Sequence, residues 1–288
     1  MEWRVGRRQQ NVPSSQEAWQ RRQAPQPNSQ DLQKLPSPPL YQDAATQLAG
    51  GESSSSVFHT QFACLSMHMS NRIRLMNFPH DCHSRRQDLV KSAWPKGVQG
   101  ERVYGSSFEL KLKNHPWDYI MESRFKSQSR RFMCGLLSGL FDSGWVLNTA
   151  VNIYPKGAGK DTLFLRCQNP APQLYRWICI SFMGDDFLYL IDAPDELQAA
   201  LVQAYGERVQ RHRARAEDTL VVGLNTVKAR ELLLILLECL EQHGFSLYTS
   251  LEQDTGLGDI CGIGGNPSDT WYCKRQLDWS RGTPVYHT

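Results

Sequence analysis

Apolar and polar positions alternate in two different rhythms beyond residue 57. One rhythm has a period near 3.6. From about 122 to 143, Phe125, Phe132, Met133, Leu136, Leu137, Leu140 and Phe141 recur at spacings of three, four and seven, so the pattern predicts an amphipathic helix. The second rhythm is short and rich in β-branched and aromatic residues. It predicts strands over 107–113, 145–154, 161–167, 176–182 and 187–192, with a second helix from about 194 to 205. Four consecutive strands with short connections imply an antiparallel meander, with both helices packed on one face. The expected fold class is α+β: an internally repeated two-layer unit ordered strand, helix, four-strand meander, helix, mostly antiparallel, behind a disordered N-terminal tail.

The repeat is visible in the letters. "RRFMCGLLSGLFDSGWVLNTAVN" from Arg130 aligns without gaps on "RELLLILLECLEQHGFSLYTSLE" from Arg230, an offset of 100. Leu136, Leu137, Leu140, Gly144, Leu147 and Thr149 meet identical residues. "KDTLFLRC" then matches "SDTWYCKR", pairing Asp161-Thr162 with Asp269-Thr270. In the other direction "FACLSM" from Phe62 resembles "WICISF" from Trp177, and "RIRLMNFP" from Arg72 matches "FLYLIDAP" from Phe187, both at an offset of 115. Read this way, 107–215 is a complete unit, 57–95 a partial unit of hairpin plus helix, and 219–275 a partial unit of strand, helix and two strands. Residues 276–288 form a C-terminal tail. Unpaired strand edges invite aggregation, so the two partial units are expected to complete one another as a second lobe, through contacts between 62–78 and the strands at 245–253 or 269–275.

Gly144 and Gly244 stand where a helix ends in a left-handed residue. His243, just before the second of these, suits the helix dipole. Asp185-Asp186 lie at a hairpin tip, as do their counterparts Ser70-Asn71, and turn chemistry accounts for both.

Composition changes the picture at the N-terminus. Residues 1–56 carry many Gln, Ser and Pro and few aliphatic residues in periodic order. Such a segment buries too little apolar surface to offset its ordering entropy, so a disordered tail is expected. It holds the most specific short motif of the chain. Pro38-Pro39-Leu40-Tyr41 has the form Pro-Pro-x-Tyr and resembles the ligand consensus of one class of WW domains. Consecutive prolines pre-form an extended helix that docks in an aromatic groove at little entropic cost, and the Tyr adds a second anchor. Pro38, Pro39 and Tyr41 are therefore the expected partner-binding residues.

The 288-residue chain has a formal net charge of +3, too small to imply nucleic acid by itself. Its locally basic stretches are the connector at 208–215 and the tail, which keep a nucleic-acid-associated protein as the alternative to an interaction protein. No apolar run approaches the length of about 18 residues that a membrane helix needs, so no membrane span is expected. The N-terminus lacks the apolar core of a secretory signal. The eight Cys are accordingly expected as reduced thiols in the cytoplasm or nucleus.

Candidate chemistry thins out on inspection. "PKGAGKDT" at 155–162 evokes a phosphate loop. However, Tyr154 occupies the place of the first Gly, Asp161 that of the metal-binding hydroxyl residue, and strands flank both sides. A hairpin connection is expected. Cys64, His68, His80, Cys82 and His83 are zinc-competent residue types within a short span, but their separations match no finger pattern. No metal, cofactor or catalytic residue is assigned, and an enzyme remains the second alternative, its site assembled in space. Arg130 and Arg230 are the charged pair shared by the ungapped alignment at an offset of 100. They are candidates for an anion or partner contact, against the plainer expectation of solvated helix arginines.

Overall fold

The computed structural model of the chain describes residues 60–79, 83–117, 123–153, 160–183, 187–213, 218–222, 226–253 and 269–287. Pro38, Pro39 and Tyr41, the whole tail to 56, His80, Cys82, Asp185 and Asp186 lie outside them. The described chain runs β1 (Phe62–His68), β2 (Arg72–Met76), α1 (His83–Ala93), β3 (Val98–Tyr104), β4 (Ser107–Leu112), α2 (Ser123–Asp142), β5 (Trp145–Val151), β6 (Thr162–Cys167). The same succession then returns as β7 (Tyr175–Met183), β8 (Phe187–Ile191), α3 (Asp195–Tyr205), β9 (Val209–Arg213), β10 (Asp218–Val222), α4 (Thr226–Gln242), β11 (Ser246–Leu251), β12 (Thr270–Gln276). The fold is α+β and internally repeated, as the sequence pattern predicts.

Strand pairing sets the boundaries of the repeat, and it does so differently from the sequence reading. The two six-stranded antiparallel sheets have the orders β3-β4-β2-β1-β6-β5 and β11-β12-β7-β8-β10-β9. The first sheet uses strands from 62 to 167 and the second strands from 175 to 276. The unit at 107–215 is thus the second part of one copy joined to the first part of the next. The partial units at 57–95 and 219–275 do not pair with each other: β1 and β2 pair with β6 and β4, and β12 pairs with β7. The expected four-strand meander is also divided, since β6 turns to β1 and β7 to β12. A sequence of alternating halves has a period but no phase, and only hydrogen bonds between strands distant in sequence choose one.

Two strands escaped the pattern. β3 is an edge strand, VQGERVY, exposed over almost its whole length. β9 lies in the segment read as a basic connector at 208–215 and forms the edge next to β10. Charged residues on an edge strand discourage pairing with foreign strands, and Glu101 and Arg102 stand on β3, Arg211 and Arg213 on β9.

The alternation of β1 sends Ala63, Leu65 and Met67 inward, where they meet Ile73 and Leu75 of β2, Leu110 and Leu112 of β4 and Leu163 and Leu165 of β6. Helices α1 and α2 cover that face: Phe132 of α2 packs on Trp94 and Trp117 at ring distances of 5.2 and 5.7 Å. In the second copy Ile178, Ile180, Leu188 and Leu190 form the matching core beneath Leu197 and Leu201 of α3 and Leu232, Leu236 and Leu240 of α4. Gly144 and Gly244 end α2 and α4 at φ 88° and 80°, the left-handed positions the sequence marks. A Cβ on Gly144 would stand 2.7 Å from the Gln168 carbonyl oxygen. His243 Nδ1 lies 2.8 Å from the Cys239 carbonyl oxygen at the end of α4.

Helix α2 also touches the second sheet, on the face away from α3 and α4. Phe141 sits against Tyr175, Trp177 and Tyr248 at 5.3 to 5.6 Å, edge to face. Lys274 Nζ lies 4.2 Å from the Phe141 ring and 4.6 Å from Tyr175, and burial lowers its pKa to about 8. Arg130 Nε donates to Thr270 Oγ1 at 3.1 Å and Arg131 Nε to Asp192 at 3.0 Å. Backbone links join the copies as well: Leu147 N donates to Tyr248 Oη at 2.6 Å, and Glu252 N to Asp161 Oδ2 at 2.7 Å. The layers therefore run sheet, helices, sheet, helices.

Because α2 is shared, the two copies are expected to unfold together. Phe141→Ala should cost about 3–5 kcal/mol, the usual cost of emptying a buried aromatic site. Urea unfolding followed by tryptophan fluorescence and far-UV circular dichroism should give one coincident transition, shifted to lower urea in the variant.

Candidate functional site on the outer face of the first sheet

The first sheet has one face in the core and one that no described helix covers. Alternation places Cys64, Ser66 and His68 of β1, Arg72, Arg74 and Met76 of β2, Glu109 and Lys111 of β4, and Phe164 and Arg166 of β6 on that outer face. Register then assembles a charged cluster. Glu109 stands opposite Arg74 on one side and Arg102 on the other. Arg74 Nε donates to Glu109 Oε2 at 2.8 Å, Arg102 Nε to Oε1 at 2.7 Å, and Arg72 Nη1 also donates to Oε1. The Tyr104 ring lies beneath two of these guanidinium groups, 4.0 Å from Arg74 and 5.1 Å from Arg102, a stacked arrangement that favours Arg over Lys.

Glu109 is 1% exposed, although it lies on the outer face. Burial alone would raise its pKa, but hydrogen bonds from Arg74, Arg102 and Arg72 outweigh burial and bring it to about 2. His68 lies beside this cluster, its Nε2 2.8 Å from Ser66 Oγ. Burial, then the Arg74 charge, lowers its pKa to about 4 despite the opposing pull of Glu109, so the imidazole is neutral at physiological pH. Three guanidinium groups against one carboxylate leave the cluster cationic. Both titratable groups have partners within it: the carboxylate is engaged by three donors and the neutral His by a hydroxyl. In the second copy Thr219 stands opposite Tyr189, where the first copy has Glu109 opposite Arg74, so the cluster belongs to the first copy alone.

Beside the face, at the β3–β4 turn, lies an open groove of about 920 Å³. Leu75, Phe78, Val103 and Phe108 line it together with Ser106 and Ser107, and among the described residues no ionisable side chain does. It offers apolar contact and no acid–base pair.

The residues singled out from sequence fall elsewhere. Arg130 is 1% exposed and bonded across the copies to Thr270, so the expectation of a solvated helix arginine is corrected for it. Arg230 is exposed on α4, and the two are not brought together. Lys160, from the sequence that resembled a phosphate loop, is buried and donates its Nζ to the Met69 carbonyl oxygen. The strands on either side of that loop pair antiparallel. Cys64 is half-buried on β1, two residues from Ser66 on the same face. Among the described residues no group of His, Cys, Asp and Glu is arranged to hold a metal ion, and six cysteines are free thiols. Sequence reasoning missed the Arg72, Arg74, Arg102, Glu109 and Tyr104 cluster. Its one local signal was Arg-x-Arg alternating with Ile and Leu in "RIRLM", which marks a strand with a basic outer face but does not say what lies opposite.

A single domain-family model matches the chain twice, over residues 61–166 and 176–274, and these spans coincide with the two sheets and their helices. No curated protein matches significantly. Among solved structures, the crystal structure of a conserved kinetoplastid-specific protein from Trypanosoma cruzi matches at 20% identity, covering 38% of this chain and 100% of that one, with a TM-score of 0.28. No described helix is long and apolar enough to cross a membrane.

The Glu109 cluster generates a signed pH dependence. A carboxylate whose folded pKa is about 2, below its unfolded value, adds stability that is complete above the unfolded pKa and lost as pH falls toward 2. Glu109→Gln should therefore lower the thermal midpoint at pH 7. The difference, about 1–2 kcal/mol given the partial exposure of the arginines, should shrink between pH 4.5 and pH 2. A difference that stays constant over that range would show that Glu109 is not ionised in the fold.

Proposed function

We propose that this chain, which belongs to the family whose domain it carries at 61–166 and again at 176–274, is a non-catalytic interaction protein. In this reading a rigid two-copy body presents the outer face of its first sheet, and an N-terminal arm recruits a partner through Pro38, Pro39 and Tyr41. The observation that carries the reading is the outer face of the first sheet, which no described helix covers. It is broad, cationic and aromatic, while the matching face of the second sheet lies under α2. Such a surface suits a macromolecule better than a small substrate, which needs a concave site. The strongly shifted Glu109 and Lys274 also have evident structural partners, three arginines and an aromatic cage. Free thiols support a cytoplasmic or nuclear setting. A basic edge strand at β9 serves edge protection, so association with nucleic acid is not favoured.

The arm is tested by titrating a peptide of residues 30–48 against a panel of WW domains. Binding of modest affinity is expected. Tyr41→Ala should abolish it, Pro39→Ala should weaken it, and Leu40→Ala should leave it nearly unchanged, because that position is unspecified in the motif. A wild-type peptide that binds no member of the panel would remove the WW-domain partner from the reading. A pull-down comparing the whole chain with residues 57–288 then separates partners of the arm from partners of the body.

A further inference from the structure

The first copy owns the docking seat that the second copy uses, and no described helix fills it. On the second sheet α2 rests on Trp177, Cys179, Ile191, Tyr272 and Lys274. The positions 115 residues earlier for the first three, and 108 earlier for the last two, are Phe62, Cys64, Met76, Phe164 and Arg166. Strand register confirms the correspondence. Cys179 pairs with Ile191 and Tyr272, and Cys64 pairs with Met76 and Phe164. Trp177 pairs with Lys274, and Phe62 with Arg166. Each position keeps its chemical character: aromatic, thiol, unbranched or branched aliphatic, aromatic, cation. Yet Cys179 and Tyr272 are fully buried, while Phe62 and Met76 are 46% and 43% exposed.

The helix that would fit this seat is also present. α2 reaches the second sheet through Arg130, Arg131, Cys134 and Phe141. The same positions on α4, 100 residues later, are Arg230, Glu231, Leu234 and Glu241. Leu234 is 61% exposed and Leu237 38%, and Glu231, Glu238 and Glu241 are exposed around them. Glu231 meets Arg208 at 3.9 Å and Glu241 meets His287 at 3.4 Å, exposed contacts of the kind that contribute little. An apolar pair rimmed by carboxylates thus faces outward on one end of the molecule. Exposed Phe62 and Met76 beside Arg72, Arg74 and Arg102 face outward on the other.

We propose that α4 of one chain docks on the outer first-sheet face of a second copy, repeating between chains the helix-on-sheet contact that α2 makes within a chain. This rests on the reading of that face as an interaction surface and names its occupant. The contact is heterologous, so it propagates head to tail instead of closing as a symmetric dimer. It is weaker than the internal contact, since Glu241 replaces the Phe141 plug. It is also salt-sensitive, since its rim pairs carboxylates with guanidinium groups.

The purified full-length chain is tested by sedimentation velocity over a range of concentrations. The expected result is a weight-average mass that climbs with concentration past that of a dimer and falls back as salt is raised. Leu234→Arg spoils the helix side and Phe62→Glu the sheet side, and both positions are exposed, so urea midpoints should match the wild type. Each variant alone should associate about tenfold or more weakly, while their equimolar mixture, which retains one intact surface of each kind, should form a heterodimer and stop there. A wild-type chain that stays monomeric throughout overturns the proposal, as do variants that still self-associate or a mixture that forms no heterodimer. No WW domain is present in these measurements, so failure here leaves the peptide titration and the broader interaction reading standing.

Discussion

A helix with apolar residues on two sides has to be covered twice, and α2 is that helix. Phe132, Leu136 and Leu140 belong with the core of its own sheet, while Phe141 enters an aromatic cluster of the next sheet beside Lys274. Exposing either side would leave buried-type aromatic surface in water, a cost of several kcal/mol. The two copies are consequently one body, and the backbone links at Leu147 and Glu252 follow from the proximity that α2 enforces. The arrangement also desolvates Lys274 and lowers its pKa, so an ammonium group tolerable in a lone domain becomes part of the joint.

Stacking two copies of one domain in the same direction makes their environments unequal. The second sheet has helices on both faces, and Lys274, Ser181 and Thr270 are buried with its apolar and aromatic residues. The first sheet is apolar on one face only, and its outer face replaces Tyr189 by Arg74 and carries Glu109 where Thr219 stands in the other copy. Helices diverge likewise: Cys134 and Phe141 of α2 are buried, whereas Leu234 and Glu241 of α4 are exposed. Charged residues stand at positions whose counterparts are packed between the copies, Arg74 for Tyr189 and Glu241 for Phe141, while Phe62, Met76 and Leu234 stay apolar and exposed.

What the sequence by itself determined is local and periodic. The amphipathic spacing of α2, the strands around "WVLNTAVNIY" and "WICIS", the left-handed glycines at 144 and 244, and the existence of a repeat were all legible, because each depends on residues near one another in the chain. The offset alignments even paired Cys64 with Cys179 and Asp161 with Asp269, which the strand register bears out for the first pair. What only the tertiary structure decided is non-local. The phase of the repeat depended on whether β6 would pair with β7 or with β1, and that choice is made by backbone hydrogen bonds and sheet closure rather than by composition. The edge strands β3 and β9 took their strand conformation from a neighbour, not from their own pattern. Arg130 looked like a surface arginine because its partner, Thr270, is 140 residues away. Glu109 looked like one polar letter in a strand, and became the centre of a cluster only when register set it between Arg74 and Arg102, since a shift of one residue would have turned it into the core.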